Sequence, residues 1–162
     1  MSRKSTPAAA RAAAMAIVQV LRNAGHVAYF AGGCVRDELL GLSPTDYDVA
    51  TDAVPERIKS LFKRTNEVGE AFGVVLVTPT EAEGVQERAT VEVATFRSDG
   101  PYSDRRRPDS IAFSDPQSDA KRRDFTVNAL FLDPLAAQQS GASVSGSIID
   151  FVGGREDIAR RV

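Results

Sequence analysis

The stretch YFAGGCVRDELLGLSPTDYDVAT, residues 29–51, contains two aspartates one residue apart, Asp46 and Asp48. On an extended strand, side chains at i and i+2 project to the same side, so both carboxylates would stand together. So close a pair repels itself unless a positive charge lies between them. Mg²⁺ suits that place: it seeks oxygen ligands, keeps several waters and shares its coordination sphere with phosphates. A second ion on the same carboxylates could lower the pKa of an attacking hydroxyl while the first steadies a leaving pyrophosphate. As a calcium loop the stretch fails, lacking the sixth-position glycine and the distal glutamate. Taken alone, Asp-x-Asp is a weak signal and is more often a helix cap and surface pair.

The residues upstream add to the pattern. Gly32 and Gly33 lie between an expected strand and an expected helix, where a backbone without Cβ atoms can approach an anion closely. Arg36, in the first turn of that helix, can add a charge-assisted bond to the same group. A lone Gly-Gly is more often a tight turn. In order, a glycine turn, an arginine and a carboxylate pair describe a triphosphate site. Cys34, between Gly33 and Val35, reads as packing and not as a nucleophile. His26 reads as a polar residue after a helix-ending glycine, with no partner motif around it.

The elements that must position these residues follow from the pattern. Thr6-Pro7 caps a leading helix that Gly25 stops, with Met15, Val18 and Leu21 at core spacing. Residues 26–31 read as a buried strand and 34–41 as a short helix anchored by Leu39, Leu40 and Leu42. Residues 45–50 read as a strand carrying Asp46 and Asp48 on one face, and PERIKSLF as a helix with Ile58, Leu61 and Phe62 inward. Strands are expected at 73–78, 89–96 and 110–113, with a polar turn at 80–87 between the first two. A short helix starts at Ser118, NALFLD (128–133) is a strand or a buried helix, and 138–147 connects to a last apolar run, IIDF. Helices and strands mix without strict βαβ alternation, which predicts an α/β (mixed α+β) fold with a mixed sheet.

At 162 residues the chain has the size of one domain, and its composition, 43% hydrophobic and 26% charged, is ordinary for a soluble protein. A single cysteine excludes an internal disulfide and a Cys-rich zinc site, and fits a cytoplasmic setting. A single histidine excludes His-based metal sites. No apolar run approaches the ~20 residues of a membrane span, and the N-terminus lacks the apolar core of a signal peptide. The net charge of −2 excludes a globally basic coat. Residues 97–123 nevertheless concentrate Arg97, Arg105, Arg106, Arg107, Lys121, Arg122 and Arg123, a stretch able to face phosphates or to form a solvated basic face.

GGCVRDELLGLSPTDYDVAT resembles the first motif of the class II tRNA nucleotidyltransferase (CCA-adding enzyme) and bacterial poly(A) polymerase family, within the polymerase-β-like nucleotidyltransferases. VEVATFRSDGPYSDRRRP (91–108), KRRDFTVNAL (121–130) and IIDFVGGREDI (148–158) resemble later motifs in the expected order. The resemblance covers roughly residues 26–161. It implies a nucleotidyltransferase head spanning 1–162, with 1–25 a leading helix and the family's neck, body and tail regions absent. It implies that Asp46 and Asp48 bind Mg²⁺, two ions in all, and activate the 3′-hydroxyl of tRNA. Gly32, Gly33, Arg36, Arg123, Asp124 and Asn128 would contact CTP or ATP. Arg97, Arg106 and Arg107 match the second motif, with RNA binding or loop positioning in competition with structural ion pairs. Arg122 and Arg123 cannot both face one way on a helix, and Arg123 is favoured as the ligand.

The family's metal site commonly includes a third carboxylate on a neighbouring strand. Glu92 is placed for that role, with Val91 and Val93 pointing the other way and an ion pair as the competing use. The implied reaction is attack of the tRNA 3′-hydroxyl on the α-phosphate of CTP or ATP, releasing pyrophosphate, by positioning and charge neutralisation. RSDGPYSDRRRPDSIAF resembles the CCA-adding version more than the poly(A) polymerase version. CC-only or A-only addition, and a nucleotide-binding module with little activity, remain alternatives, since a base-reading helix is not in the sequence.

Overall fold

Thr6 opens the first helix as the sequence predicts: its Oγ accepts from the Ala9 amide at 3.1 Å, and Pro7 fills the first helical position. The helix α1, Pro7–Asn23, buries Ala13, Ala14, Ile17, Val18 and Leu21 completely. Met15 is half-buried at the edge of that stripe. The computed structural model describes residues 6–67, 73–85, 87–99, 111–113, 115–121, 129–135 and 148–160.

After α1 come β1 (Ala28–Ala31), α2 (Gly33–Leu39), β2 (Asp48–Thr51), α3 (Pro55–Leu61), β3 (Thr65–Glu67), β4 (Val74–Val77) and a 3₁₀ turn at Glu81–Glu83. Then follow β5 (Val91–Thr95), β6 (Arg97–Asp99), β7 (Ile111–Phe113), α4 (Pro116–Lys121), β8 (Phe131–Leu132), β9 (Ile148–Ile149) and α5 (Gly154–Arg160). Among the described residues, seven strands form one sheet in the order β3-β4-β5-β2-β1-β8-β9, while β6 and β7 pair separately. Among these described strands only β2 and β5 run parallel, so the sheet is mixed, as expected.

Strand alternation divides the two faces of this sheet. Phe30, Val49, Val75, Val77, Val91, Val93 and Leu132 join α1, Val35 of α2 and Ile58 of α3 in the main core. The opposite face carries Ala31, Ala50 and Phe131, which pack with Phe96 and with Ala120 of α4. Phe96 and Phe131 meet edge to face at 5.7 Å, an arrangement that aromatic quadrupoles favour. Asp48 and Glu92 belong to this second face and are exposed.

Several expectations are corrected. The strand predicted at 45–50 begins only at Asp48, so Asp46 lies outside it. The reason is the partner: Asp48 pairs with Ala31, the last residue of β1, after which Gly32 turns the chain away. Leu40 and Leu42 are exposed at 53% and 57%, not anchors, because α2 ends at Leu39 and Gly41 at φ +75° swings the chain outward. Leu39 does pack on the core, and Ile58 and Phe62 are buried as predicted. The polar edge strand β3 and the strand β6 have no apolar alternation and were not expected; their register is set by backbone bonding to β4 and β7. Among the described residues, no helix is long and apolar enough to cross a membrane.

Candidate active site

The parallel register of β2 and β5 sets Asp48 directly beside Glu92. Neighbouring strands stand about 4.8 Å apart, so two carboxylates of like charge face solvent side by side. Tyr47 and Val49, on either side of Asp48, are buried in the main core, while Asp46 and Asp48 are exposed. The alternation inferred from TDYDVA therefore holds although Asp46 makes no ladder pairing. Among the described residues no basic side chain pairs with Glu92.

The glycine turn lies at the same end of the sheet. Ala31 is the register partner of Asp48, and Gly32 follows it at φ +78°, ψ −144°, a conformation open essentially only to glycine. Gly33 begins α2. A Cβ placed there would meet Arg36 Nη2 at 3.4 Å, so the guanidinium folds back over the bare glycine backbone. Arg36 also bonds Asp37, with Nη2 at 3.0 Å and Nε at 3.1 Å from Oδ1.

Cys34 ties this turn to the carboxylates. Its thiol donates to the Ala31 carbonyl at 3.2 Å and lies against the Asp48 backbone N–H. Burial above all, aided by the charges of Asp48 and Glu38, pushes it up to about 12. The packing role read from the sequence stands, since a thiol so held is no nucleophile at neutral pH. His26 sits at the other end of β1, bonded to Asp52 at 3.2 Å and accepting from Arg57 Nε at 3.3 Å, away from the candidate site.

Arg97 leaves the far end of β5, five residues beyond Glu92, and its backbone N–H donates to the buried Asp119 at 3.1 Å. Arg106, Arg107, Arg123, Asp124 and Asn128 lie outside the described residues. The site assembled here therefore comprises Gly32, Gly33, Arg36, Asp46, Asp48 and Glu92.

Sequence reasoning missed a polar contact behind these residues. Glu38 of α2 accepts at Oε1 from the Tyr47 hydroxyl at 2.6 Å and from Arg11 Nε at 2.9 Å. Burial, and next the Glu38 bond and charge, push the Tyr47 phenol well above its ordinary value. Burial pulls the Arg11 guanidinium down, but Glu38 outweighs it and holds the group above its usual range. A signal was present: the alternation that exposes both aspartates turns a tyrosine hydroxyl into the core, where it needs a partner.

The donor set for a metal is oxygen-only and solvent-facing, which suits a hard cation. Among the described residues no three such groups draw close enough to enclose an ion unaided. That is compatible with the way Mg²⁺ is usually held, by one or two carboxylates together with water and phosphate oxygens.

A mixed sheet with carboxylates on adjacent strands beside a glycine-lined turn places oxygen donors and open backbone at one end of the sheet. The crystal structure of the Bacillus stearothermophilus CCA-adding enzyme in complex with CTP superposes with a TM-score of 0.71 at 40% identity, over 92% of this chain and 31% of that one. The poly A polymerase head domain model matches residues 28–162, and the chain belongs to that family. The CCA-adding enzyme of Geobacillus kaustophilus (strain HTA426) is 43% identical over 150 residues, 92% of this chain and 33% of the relative. That of Bacillus subtilis (strain 168) is 38% identical over 150 residues, 92% of this chain and 34% of the relative. The chain thus spans about a third of the length of these curated relatives.

Proposed function

We propose that this chain is the head of a CCA-adding tRNA nucleotidyltransferase, transferring a nucleotide from CTP or ATP to the 3′-hydroxyl of tRNA. The observation that carries the reading is the register of Asp48 beside Glu92, with Asp46 two residues earlier and the Gly32 turn one strand over. Relatives about 40% identical are CCA-adding enzymes, and one solved relative holds CTP. Another, at 25% identity and a TM-score of 0.60, is a tRNA nucleotidyltransferase complexed with a primer tRNA and an incoming ATP analogue.

In this reading Gly32 and Gly33 let the backbone approach the triphosphate, and the Arg36 guanidinium donates to its oxygens. Asp46 and Asp48 hold Mg²⁺, two ions in the full assembly, and Glu92 is the third carboxylate of the set. The metal would neutralise phosphate charge and favour ionisation of the attacking hydroxyl. The protein's own share is orientation, since the attacking and leaving oxygens must lie in line. Arg123, Asp124 and Asn128 complete the nucleotide contacts, and Arg97, Arg106 and Arg107 act on RNA or on loop position, as the family motifs imply. Poly(A) addition is the competing activity within this family, whose model is that of a poly A polymerase head.

Calorimetric titration with ATP, CTP, GTP and UTP, with and without Mg²⁺, tests the site. Binding should require Mg²⁺ and vanish in Asp46→Asn/Asp48→Asn. Metal-independent binding that survives the double substitution would overturn the assignment.

A further inference from the structure

Glu38 stands where α1, α2 and the segment entering β2 meet. Its side chain is only 10% exposed, and one oxygen, Oε1, serves both Tyr47 and Arg11. The other, Oε2, is buried with no hydrogen-bond partner among the described residues. An apolar residue of similar volume would pack here at less cost, because a buried ion pair rarely repays its desolvation. An incompletely satisfied buried carboxylate needs another explanation, and its bonding partner supplies one.

Tyr47 is held at both ends. Its hydroxyl donates to Glu38, and its ring meets the fully buried Phe30 edge-on at 5.2 Å. Arg11 in turn lies over the same Phe30 ring at 5.5 Å, fixing Glu38 from α1. Asp46 and Asp48 are joined to Tyr47 through its two flanking peptide units; Asp48 is held in the ladder, so any backbone rotation at Tyr47 re-aims Asp46 relative to it. Asp46 lies outside the sheet and has no ladder bonds to fix it independently.

We propose that Glu38 is a positioning residue which, through Tyr47, sets the relative orientation of Asp46 and Asp48, with Arg11 holding Glu38 in place. The inference rests on the reading of Asp46 and Asp48 as the metal-binding pair. The hydroxyl bond anchors the core side of the segment, and the carboxylates on the solvent side inherit its alignment. Outer contacts of this kind commonly change metal affinity by about 10–100-fold.

The test is Mn²⁺ binding to the whole chain, read by electron paramagnetic resonance, with a thermal unfolding curve for every variant. Tyr47→Phe keeps the ring and removes only the hydroxyl, and it should weaken Mn²⁺ binding about tenfold. Glu38→Ala should do the same, whereas Glu38→Gln, whose amide oxygen still accepts from Tyr47, should recover most of the affinity. Asp46→Asn separates the two levels of the argument. If Asp46→Asn binds Mn²⁺ like the unaltered chain, the metal-pair reading fails and the inference with it. If Asp46→Asn loses Mn²⁺ but Tyr47→Phe does not, the positioning role alone is overturned. Should Glu38→Ala fail to fold, Tyr47→Phe still decides.

Discussion

At the scale of single residues, the informative contrast is between Glu92 and its neighbours in register. Asp48 and Glu92 stand directly opposite across two strands, an arrangement that costs a few tenths to ~1 kcal/mol when both are charged. Without metal, Glu92→Gln should therefore leave stability unchanged or slightly raised in a denaturant titration. Nucleotide transfer by an active form should fall by about a hundredfold or more if Glu92 completes the charge arrangement. A variant that loses stability while keeping activity would show that Glu92 serves the fold instead. Such a residue is legible because the valines around it fix which way it points: a charge at mid-strand between two buried side chains must face the other side. Asp46 and Asp48 are legible for the same reason, even though the strand starts later than the alternation suggests. The Glu38–Tyr47–Arg11 contact was not, because it joins residues from α1, α2 and the entry to β2, and no local period records which side chains meet.

At the scale of elements, two adjacent glycines carry opposite demands. Gly32 holds φ +78° with ψ −144°, so Gly32→Ala should destabilise the chain by ~1–3 kcal/mol. Gly33 sits in the helix, and its added methyl would reach only ordinary contact with Arg36 at 3.4 Å. Gly33→Ala should accordingly be neutral or stabilising by up to ~1 kcal/mol, through loss of freedom in the unfolded chain. Urea titrations of the two variants side by side check this; equal destabilisation would mean that the turn tolerates no Cβ at either position. The helix-ending Gly25, the Thr6 cap and the buried stripe of α1 were visible in advance because each is a local rule. The polar strand β3 was not visible, since what makes Thr65–Glu67 a strand is the backbone of Val75–Val77 beside it. Leu40 and Leu42 misled for a related reason: apolar composition continued past the end of α2, whereas burial stopped at Leu39.

At the scale of the molecule, the groups gathered at one end of the sheet have a common chemical character that limits what this chain can recognise. Gly32 and Gly33 offer backbone, Arg36 offers a guanidinium, and Asp46, Asp48 and Glu92 offer carboxylates for a cation. In the proposed reading all of these address a metal–triphosphate, and none presents a donor–acceptor pattern that distinguishes one base edge from another. Cytosine and adenine differ in shape and in hydrogen-bonding groups, so discriminating them by tenfold requires about 1.4 kcal/mol of differential contact. Among the described residues, no side chain assigned to the site provides it. The four nucleoside triphosphates should therefore bind this chain in Mg²⁺ with affinities within about threefold of one another, a spread well under 1 kcal/mol. The calorimetric titrations measure that spread directly. A preference of tenfold or more for CTP and ATP over GTP and UTP would mean that base reading begins within these 162 residues. The contacts responsible would then have to be sought beside the glycine turn or in the motif around Arg123, Asp124 and Asn128, and substitutions there should erase the preference without abolishing triphosphate binding.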